Sequence, residues 1–373
     1  MEVTNVDVGL TGTDTMASVL PLERPLATVA DDDEESSPEL IVDQFGAFVG
    51  KHSERLRVSQ KGVLLVERPL FDLTRVLILG RGITISSDAI RACAERGIAI
   101  SFVSGRGDAY AQIVGPGLSA TVDTRRQQLI AFGDARGATL ARAFVLAKMR
   151  NQANLLKYLA KNRRAAEPEL FDLTRDAAIE IEHDATLVSR LPGDSVDAIR
   201  AAIFVHEAHA SRLYWEAMRA LVRREYDWLG RRHEGAEDVI NCLLNYGYGV
   251  LYGEIERSLI AAGLDAYAGF IHTDRPGKPS LVFDFIEEFR QPVVDRTVMG
   301  LVNRGTTLTC VDGRLDDPTR RLIAERVLAR LAAPEPYEKK RHTLKRIIRQ
   351  QALHMASYLR HDRDGYVGYI ARW

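Results

Sequence analysis

The segment GPGLS at residues 115–119 separates two parts of the chain whose apolar residues follow different patterns. Before it, short runs rich in β-branched residues, such as LIVDQFGAFVG and GVLLVERPL, are bounded by polar or glycine breaks, which is typical of antiparallel strands. After it, apolar residues recur with the 3.6-residue period of helices. The sequence therefore predicts an α+β protein, in which a small β-rich N-terminal domain precedes a larger all-α C-terminal domain.

Charge is distributed unevenly along the chain. Residues 1–40 contain ten acidic residues and one basic residue, whereas the remainder has a net charge of +8. A segment rich in Thr, Asp, Glu, Ser and Pro is typical of disorder, and a basic body permits a nucleic-acid partner without requiring one. We therefore predict a disordered acidic extension at 1–38, a β-rich domain at 39–115, a linker at 116–123 and a helical domain at 124–373.

The composition disfavours several classes of protein. There is no run of roughly 18 apolar residues and no basic region followed by an apolar one at the N-terminus, so we expect a cytoplasmic protein without a membrane span. The cysteines, Cys93, Cys242 and Cys310, are far apart and match no zinc or disulfide pattern. We expect them to be small buried side chains in a reducing compartment.

One helix is expected inside the β-rich domain, over the segment DAIRACAERG. Ser86 and Ser87 suit its start, and Gly97 suits its end. The glycine-rich segment GRGDAYAQ that follows lacks the spacing of a phosphate-binding loop, so a loop between strands is the better interpretation. We find no catalytic constellation in this domain.

A long amphipathic helix is predicted from Ser195 to about Tyr226. The apolar residues that keep its 3.6-residue period are Val196, Ile199, Ile203, Ala210, Tyr214, Ala217 and Leu221. The residue that this stripe places between Ile203 and Ala210 is Glu207. Because a buried carboxylate is costly unless it is paired, Glu207 needs either an arginine from elsewhere or a metal ion, and the pattern does not decide between them.

The motif HEAH places His206 and His209 on either side of that glutamate. It is one residue shorter than the His-Glu-x-x-His motif of zinc peptidases, so the two imidazoles do not stack four residues apart with a separate base between them. A zinc peptidase is therefore disfavoured.

The stretch from Gly269 to Arg290, GFIHTDRPGKPSLVFDFIEEFR, combines one imidazole with two acids. The turn RPGK should reverse the chain, so that His272 meets the start of a helix opened by Asp284. Asp284 and Glu287 would then share one helix face. An ordinary capped helix beside a surface histidine fits the same residues, and this stretch alone leaves both interpretations open.

Three glycines, Gly247, Gly249 and Gly253, fall inside a predicted helix from Asp238 to Ala262. Each costs roughly 1 kcal/mol relative to alanine inside a helix. Their presence predicts that another helix or the site approaches this helix closely.

Basic residues concentrate in two helical segments. They are Arg125, Arg126, Arg142, Lys148 and Arg150 within residues 124–161, and Lys345, Arg346 and Arg349 near the C-terminus. A solvated helix face and a surface that contacts DNA phosphates both explain such groups. The final residues, Tyr366 to Trp373, are expected to pack onto the body of the protein.

Three segments, taken together, resemble a known family. They are EAHASRLYW from Glu207, LNYGYGVLYGEIE from Leu244, and the stretch from Gly269 to Arg290. In combination they are similar to the CRISPR-associated endonuclease and integrase of spacer acquisition, and the likeness covers both predicted domains but not the acidic extension. The resemblance implies that the β-rich domain forms a homodimer and that the helical domain is catalytic.

The same resemblance implies a metal site made from Glu207, His272 and Glu287, with Asp284 as a supporting acid. The family's Glu-Gly-x-Ala-Ala motif reads Glu-Ala-His-Ala-Ser here, which puts the packing of this helix in question although the glutamate is retained. Neither histidine of the HEAH motif is an expected ligand. Two carboxylates and one imidazole suit Mg²⁺ or Mn²⁺, and zinc is disfavoured because neither a thiolate nor a second histidine is in place.

The implied activity is metal-assisted transesterification, in which the 3′-hydroxyl of a short DNA fragment attacks a phosphodiester at the edge of a CRISPR repeat. Attack by water instead gives the endonuclease reaction. The implied partners are DNA and a dimer of the small, ferredoxin-like CRISPR-associated protein, flanked by two homodimers. The residues expected to contact DNA are Lys345, Arg346, Arg349 and Arg290.

Two alternatives remain open. One is a stand-alone nuclease for branched DNA or an integrase of the casposon kind. The other is a non-catalytic nucleic-acid scaffold, in which Glu207 and Glu287 form salt bridges only.

Overall fold

Strands dominate the described residues up to 113 and helices dominate from 122 onward, which confirms the predicted α+β fold. The computed structural model describes residues 39–113, 115 and 122–373. The acidic extension predicted at 1–38 and residues 116–121 of the predicted linker lie outside the described residues. Among the described helices, none has both the length and the apolar character that crossing a membrane requires.

The β-rich region contains two four-stranded sheets. Its strands are β1 (Glu39–Val42), β2 (Ala47–His52), β3 (Arg55–Gln60), β4 (Val63–Pro69), β5 (Arg75–Leu79), β6 (Thr84–Ile85), β7 (Ala99–Val103) and β8 (Ala109–Ile113). One sheet has the order β1-β5-β7-β8 and the other has the order β4-β3-β2-β6. The strands β2, β3 and β4 are antiparallel, as predicted. In the first sheet β1, β5 and β7 run parallel, so the prediction of antiparallel strands is wrong there.

The parallel pairing of β5 with β7 has its cause in helix α1 (Ser87–Glu95), which lies between these two strands in the chain. Parallel neighbours need a crossover connection of this kind, whereas a hairpin would make them antiparallel. The helix itself is placed as predicted. The hydroxyl of Ser86 accepts a hydrogen bond from the backbone N–H of Ala89 at 3.2 Å, and Gly97 adopts a φ of +68° after the last turn.

Strand β5 lies between two hydrophobic cores. Leu77 and Leu79 belong to the larger core, which is built mainly by the helices. Val76 and Ile78 belong to the smaller core of the β-rich region. Because successive side chains of a strand point to opposite faces, this single strand joins the two cores.

The remainder of the described chain is mostly helical. Its helices are α2 (Val122–Ala131), α3 (Ala135–Ala160), α4 (Pro168–Arg190), α5 (Val196–Leu221), α6 (Val239–Ala261), α7 (Ser280–Ile286), α8 (Arg296–Asn303), α9 (Asp317–Leu331) and α10 (Leu344–Leu359). A π-helical segment, Arg290–Asp295, leads into α8.

Two short hairpins interrupt this helical region, which the sequence analysis expected to be helical apart from the turn at residues 275–278. They are β9 (Cys310–Val311) with β10 (Arg314–Leu315), and β11 (Pro334–Tyr337) with β12 (Lys340–Thr343). Each turn has two residues with positive φ, Asp312 and Gly313 in the first and Glu338 and Lys339 in the second. Such turns match the twist of paired strands, and the Asp-Gly dipeptide of the first is a recognisable signal for one.

Helix α6 is approached closely at each of its three interior glycines, although at two of them the neighbour is the β-rich region and not the expected helix or site. A Cβ added to Gly249 would lie 1.5 Å from the carbonyl oxygen of Gly107, in a loop of the β-rich region. A Cβ on Gly253 would lie 2.6 Å from Nη2 of Arg75, and one on Gly247 would lie 2.6 Å from Val294. The glycines therefore let α6 pack directly against the β-rich region on one side and the π-helical segment on another.

The C-terminal residues pack onto the body, as predicted. Tyr366 and Tyr369 are 4% and 3% exposed. The side-chain amide of Asn151, on α3, donates to the carbonyl of Tyr369 at 2.9 Å, and its oxygen accepts from the backbone N–H of Ala371 at 2.8 Å. The hydroxyl of Tyr366 donates to the buried carboxyl of Glu288 at 2.6 Å. The tail is thus bonded to residues next to the candidate site.

Candidate active site

Helix α5 buries the predicted apolar stripe and holds Glu207 at its edge. Every residue of the stripe is at most 1% exposed, whereas the side chain of Glu207 is 21% exposed. Its Oε1 accepts a hydrogen bond from the hydroxyl of Ser211 at 3.1 Å and also contacts the ammonium of Lys148. The partner that this carboxylate requires is therefore a lysine from α3.

Lys148 bridges two carboxylates from different helices. Its Nζ contacts Oε1 of Glu207 and lies 3.0 Å from Oε2 of Glu287. Burial disfavours the charged ammonium, but the charges of Glu287 and Glu207 outweigh burial and raise the pKa of Lys148. The site thus holds two negative charges and one positive charge, with the positive charge at the centre.

Glu287 is the more deeply buried of the two acids, at 7% exposed. Its Oε1 lies 3.1 Å from Nε of Arg290. Its Oε2 is buried, and among the described residues it has an ion-pair contact with Lys148 but no partner in hydrogen-bond geometry. Burial raises the pKa of Glu287, but Arg290, Lys148 and His272 outweigh it and lower that pKa to about 2. The carboxylate is therefore ionised at neutral pH.

Asp284 is completely buried and fixes the backbone that precedes the turn. Its Oδ2 accepts from the backbone N–H groups of Phe270 at 2.5 Å and Ile271 at 3.1 Å. Its Oδ1 accepts from the backbone N–H of His272 at 2.9 Å. A Cβ added to Gly269 would lie 2.9 Å from Oδ2 of Asp284, so glycine is required where the chain passes this carboxylate.

The same carboxylate orients the imidazole of His272, whose Nδ1 lies 2.6 Å from Oδ1 of Asp284. Because an ionised carboxylate only accepts hydrogen bonds, Nδ1 holds the proton and the neutral ring has its lone pair on Nε2. Burial lowers the pKa of His272, but the hydrogen bond and charge of Asp284, together with the charge of Glu287, outweigh it and raise that pKa.

The helix that bears both acids begins earlier than expected. Helix α7 starts at Ser280, after Pro279, so Asp284 lies in its interior and Glu287 is its C-terminal cap residue. The expectation that Asp284 opens the helix is therefore wrong. Proline favours a helix start because it has no N–H to leave unpaired and its φ is already suitable. The turn before it is as predicted, with Gly277 at a φ of +74°.

The structure brings the four predicted site residues into two linked pairs. Glu207 and Glu287 meet at Lys148, and His272 is bonded to Asp284. Glu287 and His272 lie close enough for each to shift the other's pKa. In the part of the chain that the structure describes, no three His, Cys, Asp or Glu side chains are grouped as a metal site, and the ammonium lies between the glutamates instead.

The two histidines of the HEAH motif bind a different acid. Nδ1 of His206 lies 2.8 Å from one oxygen of Asp184, and Nδ1 of His209 lies 2.6 Å from the other. Asp184 is on α4 and is 6% exposed. The motif therefore ties α4 to α5 next to Glu207.

The four residues expected to contact DNA lie in different environments. Arg290 pairs with Glu287 and lies over the ring of Tyr248, 4.6 Å from its centroid. Lys345 donates to the hydroxyl of Thr74 at 3.1 Å and lies 3.7 Å from Glu39. Arg346 is half-buried and Arg349 is exposed. Their contact with DNA stays a prediction.

Sequence reasoning missed the role of Lys148, which it grouped with residues of a solvated face or a phosphate-binding rim. A signal was present, because Lys148 lies four residues after Phe144 and three before Asn151, both of which are completely buried. Residues with this spacing share one face of a helix. A lysine in such a stripe needs a buried acid, as Glu207 needs a buried base.

Comparisons with known proteins show which family the chain belongs to. The family model described as CRISPR associated protein Cas1 matches residues 40–327. The chain is 34% identical over 349 residues to a CRISPR-associated endonuclease Cas1 of Archaeoglobus fulgidus, which covers 90% of this chain and 99% of that protein. It is 37% identical over 264 residues to one from Pyrobaculum aerophilum, which covers 70% of this chain and 82% of that protein.

Solved structures share the fold. A casposase bound to its integration product superposes with a TM-score of 0.76 at 23% identity, covering 88% of this chain and 92% of that one. A Cas6-RT-Cas1–Cas2 complex superposes with a TM-score of 0.72 at 18% identity, covering 90% of this chain and 36% of that one. A Cas1 protein from Thermotoga maritima superposes with a TM-score of 0.67 at 15% identity, covering 90% of this chain and 100% of that one. With the family model matched over most of its length, the chain belongs to the CRISPR-associated Cas1 family.

Proposed function

We propose that this chain is a metal-dependent DNA endonuclease and integrase of CRISPR adaptation. It would join the 3′-hydroxyl ends of short DNA fragments to the CRISPR repeat array by transesterification. The observation that supports this most is the meeting of Glu207 and Glu287 around one positive charge, beside the anchored imidazole of His272. The relatives from Archaeoglobus and Pyrobaculum are named endonucleases, and the casposase of the same fold is bound to an integration product.

The residues present fit a hard divalent cation such as Mg²⁺ or Mn²⁺. Glu207 and Glu287 supply carboxylate oxygens, and the buried Oε2 of Glu287 has no described hydrogen-bond partner. His272 supplies Nε2, because Asp284 occupies its other ring nitrogen, an arrangement common among metal-binding histidines. Carboxylate oxygens with a single imidazole suit Mg²⁺ and Mn²⁺ better than zinc. In this proposal the cation takes the central position that Lys148 now holds.

When bound, the cation would supply charge stabilisation for the phosphodiester that is attacked. The residues of the chain have separate tasks. Arg290 keeps Glu287 ionised, and Asp284 holds the imidazole of His272 in one orientation. Lys148 lies beside both glutamates and, once displaced from between them, can bind a phosphate oxygen.

We further propose a homodimer formed through the β-rich domains, with two such dimers flanking a dimer of a small ferredoxin-like partner. The Cas1–Cas2 complex of the same fold supports a partner of this kind. Exposed Arg349 is the best placed of the four predicted DNA contacts, because Arg290 and Lys345 already pair with acids of the chain.

A strand-transfer assay tests the proposal. The substrates are a repeat-bearing plasmid and short duplex DNA with free 3′-hydroxyl ends, with Mn²⁺ and with or without the small partner protein. We expect fragment-plasmid junctions with the wild type and none with Glu207→Ala. Joining or cutting by Glu207→Ala at the wild-type rate would contradict the assigned role of Glu207.

A casposon-like integrase is the second candidate, because the casposase superposes with a TM-score of 0.76 over 88% of this chain. The same assay separates the two functions. Insertion at the repeat boundary that needs the small partner supports CRISPR adaptation. Insertion into a plasmid without a repeat, independent of the partner, supports the casposon-like reaction.

A non-catalytic scaffold is the third candidate, because Lys148 already forms salt bridges with both glutamates. Such a protein would bind DNA without cutting or joining it, and it would bind no Mn²⁺.

A further inference from the structure

The thiols of Cys242 and Cys310 lie 3.2 Å apart, although the two residues are 68 positions apart in the chain. Both are free cysteines, and so is Cys93. Cys93 is in the core of the β-rich region at 1% exposed. The chain therefore has one adjacent thiol pair and one thiol in a different core.

Both thiols of the pair face the same loop. Cys242 lies in the first turn of α6, and its Sγ is 3.7 Å from the carbonyl oxygen of Ala236. Cys310 begins β9, and its Sγ is 3.5 Å from the carbonyl oxygen of Glu237. A Cβ added to Gly313 would lie 2.6 Å from the oxygen of Ala236, so the hairpin packs closely on this loop. Two segments of the chain, residues 236–242 and the hairpin at 310–315, thus meet at the two sulfur atoms.

We propose that Cys242 and Cys310 are a redox modification site, at which a peroxide converts the two thiols into an intramolecular disulfide. A disulfide joins its sulfur atoms at about 2.05 Å, so the sulfurs must approach by roughly 1 Å. The site of that adjustment is the short hairpin β9–β10, since its Cys310 is partly exposed whereas Cys242 is buried in α6.

The reaction balances with hydrogen peroxide as the oxidant. The sulfur of Cys310, which is the accessible one, attacks a peroxide oxygen; an S–O bond forms, the O–O bond breaks, and one water leaves. The sulfur of Cys242 then attacks the resulting sulfenic acid, the S–S bond forms, and the hydroxyl departs as a second water with the thiol proton. Two thiols lose two electrons, and one peroxide gains them.

The surroundings set the conditions for this reaction. Burial raises the pKa of Cys310, and burial together with the neighbouring Cys310 thiol raises that of Cys242. Because the thiolate is the attacking form, disulfide formation is expected to become faster as the pH rises toward mildly alkaline values.

The disulfide would fasten one wall of a large cleft. This cleft has a volume of about 940 Å³, and its lining includes Cys242, Gly313, Asn245, Tyr248 and Arg290. Arg290, which lines the same cleft, pairs with Glu287 of the candidate active site. The inference rests on the sulfur geometry and does not require the proposed function.

Mass spectrometry of the oxidised full-length chain tests the inference. The reduced protein is treated with hydrogen peroxide, quenched with catalase, unfolded in the presence of N-ethylmaleimide and digested with trypsin without reductant. We expect one alkylated cysteine per chain, Cys93, and a cross-linked pair of peptides spanning 233–257 and 305–314. Three alkylated cysteines per chain, or a link found only between two chains, would overturn the proposal.

Variants provide the matched controls. Cys93→Ser is expected to form the same cross-link, whereas Cys242→Ser and Cys310→Ser are expected to form none. The oxidised wild type should have a Tm about 4 °C or more above that of the reduced protein, and reductant should reverse the change. A lower Tm after oxidation would show that the cysteines join only when this region unfolds, which contradicts a site built into the fold.

Discussion

The ammonium of Lys148 lies 3.0 Å from Oε2 of Glu287 and also contacts Oε1 of Glu207, so a single lysine pairs with carboxylates from two separate helices. Without Lys148, the carboxylates of Glu207 and Glu287 would repel each other in a site where their side chains are only 21% and 9% exposed. In the proposed metal-bound state, a divalent cation would meet the same electrostatic need as the lysine.

Replacing Lys148 with Met is expected to destabilise the metal-free protein by about 3 kcal/mol, because removing one partner of a buried pair leaves the remaining charge uncompensated. Mn²⁺ should restore most of that loss by binding between the glutamates. Thermal denaturation with and without Mn²⁺ measures both effects.

Lys157→Met is the matched control for that substitution. Lys157 lies on the same helix and pairs with Glu182, but their side chains are 46% and 45% exposed. An exposed pair contributes at most about 1 kcal/mol, and Mn²⁺ should not change the Tm of this variant relative to the wild type. Equal losses in the two variants would refute the special role of Lys148.

Asp284→Asn is expected to cost about 3 kcal/mol and to abolish DNA cleavage. The carboxylate accepts three backbone hydrogen bonds and one from His272. In asparagine one of the two oxygens is replaced by an NH₂ group, which cannot accept a hydrogen bond, so some of these N–H groups would lose their acceptor. Urea denaturation and a cleavage assay measure the two effects. Asp274→Asn, at an exposed site that accepts a hydrogen bond from the hydroxyl of Ser280 at 2.8 Å, should change stability by less than about 0.5 kcal/mol. Wild-type cleavage by Asp284→Asn would show that the orientation of His272 is unimportant.

The buried carboxyl of Glu288 is expected to make the stability of the fold depend on pH. Burial raises its pKa to about 7 from 4.5, despite hydrogen bonds from Tyr366, Gln351 and the backbone of Tyr369. The folded state therefore binds the proton more tightly than the unfolded state. Its stabilising contribution is complete below the unfolded pKa and is lost as the pH rises through 7.

Glu288→Gln isolates this effect. Between about pH 5 and pH 8 the wild type should lose roughly 2 to 3 kcal/mol of unfolding free energy that the variant keeps. Urea denaturation at the two pH values gives the change in unfolding free energy for each protein. Subtracting the change in the variant from that in the wild type removes the contribution of the other titrating groups. Parallel pH profiles would show that Glu288 is ionised in the folded state at the lower pH.

Gly249→Ala is expected to destabilise the protein by about 3 kcal/mol or more, because the added methyl would lie 1.5 Å from the carbonyl oxygen of Gly107 and only backbone movement can relieve that overlap. Gly365→Ala, which meets nothing within 4 Å, should stay within about 0.5 kcal/mol of the wild type. Urea denaturation distinguishes them, and similar values would contradict the close packing of α6 on the β-rich region.

The sequence predicts those features of the site that depend on residues close together in the chain, and it does not predict contacts between residues that are far apart in the chain. Glu207 was identifiable because its charge interrupts a regular apolar stripe within one helix. The pairing of Glu207 with Lys148 could not be identified from the sequence, because the two residues are 59 positions apart on different helices. Asp284 and Glu287 were correctly placed together on one short segment, but the helix start was misassigned because Pro279 began it before the acids.

The same distinction applies to the fold. The capped helix α1 was predicted from local spacing and is confirmed, and so is the close packing at the glycines of α6, although two of them meet the β-rich region and not a helix or the site. The parallel arrangement of β1, β5 and β7 was not predicted. Whether two strands run parallel depends on which strands become neighbours in the sheet, and local spacing does not determine that. The adjacent thiols of Cys242 and Cys310 are another long-range result that spacing in the chain does not indicate.

Calorimetric titration of Mn²⁺ tests the central claim, that Glu207, Glu287 and His272 hold one divalent cation. The titration compares the metal-free wild type with Glu207→Gln, Glu287→Gln and His272→Ala, with His209→Ala as a control whose imidazole binds Asp184 instead. We expect one Mn²⁺ per chain in the wild type and the control, and affinity weakened more than about tenfold in each of the three site variants. A wild type that binds no Mn²⁺, or site variants that bind it as the wild type does, would contradict this assignment.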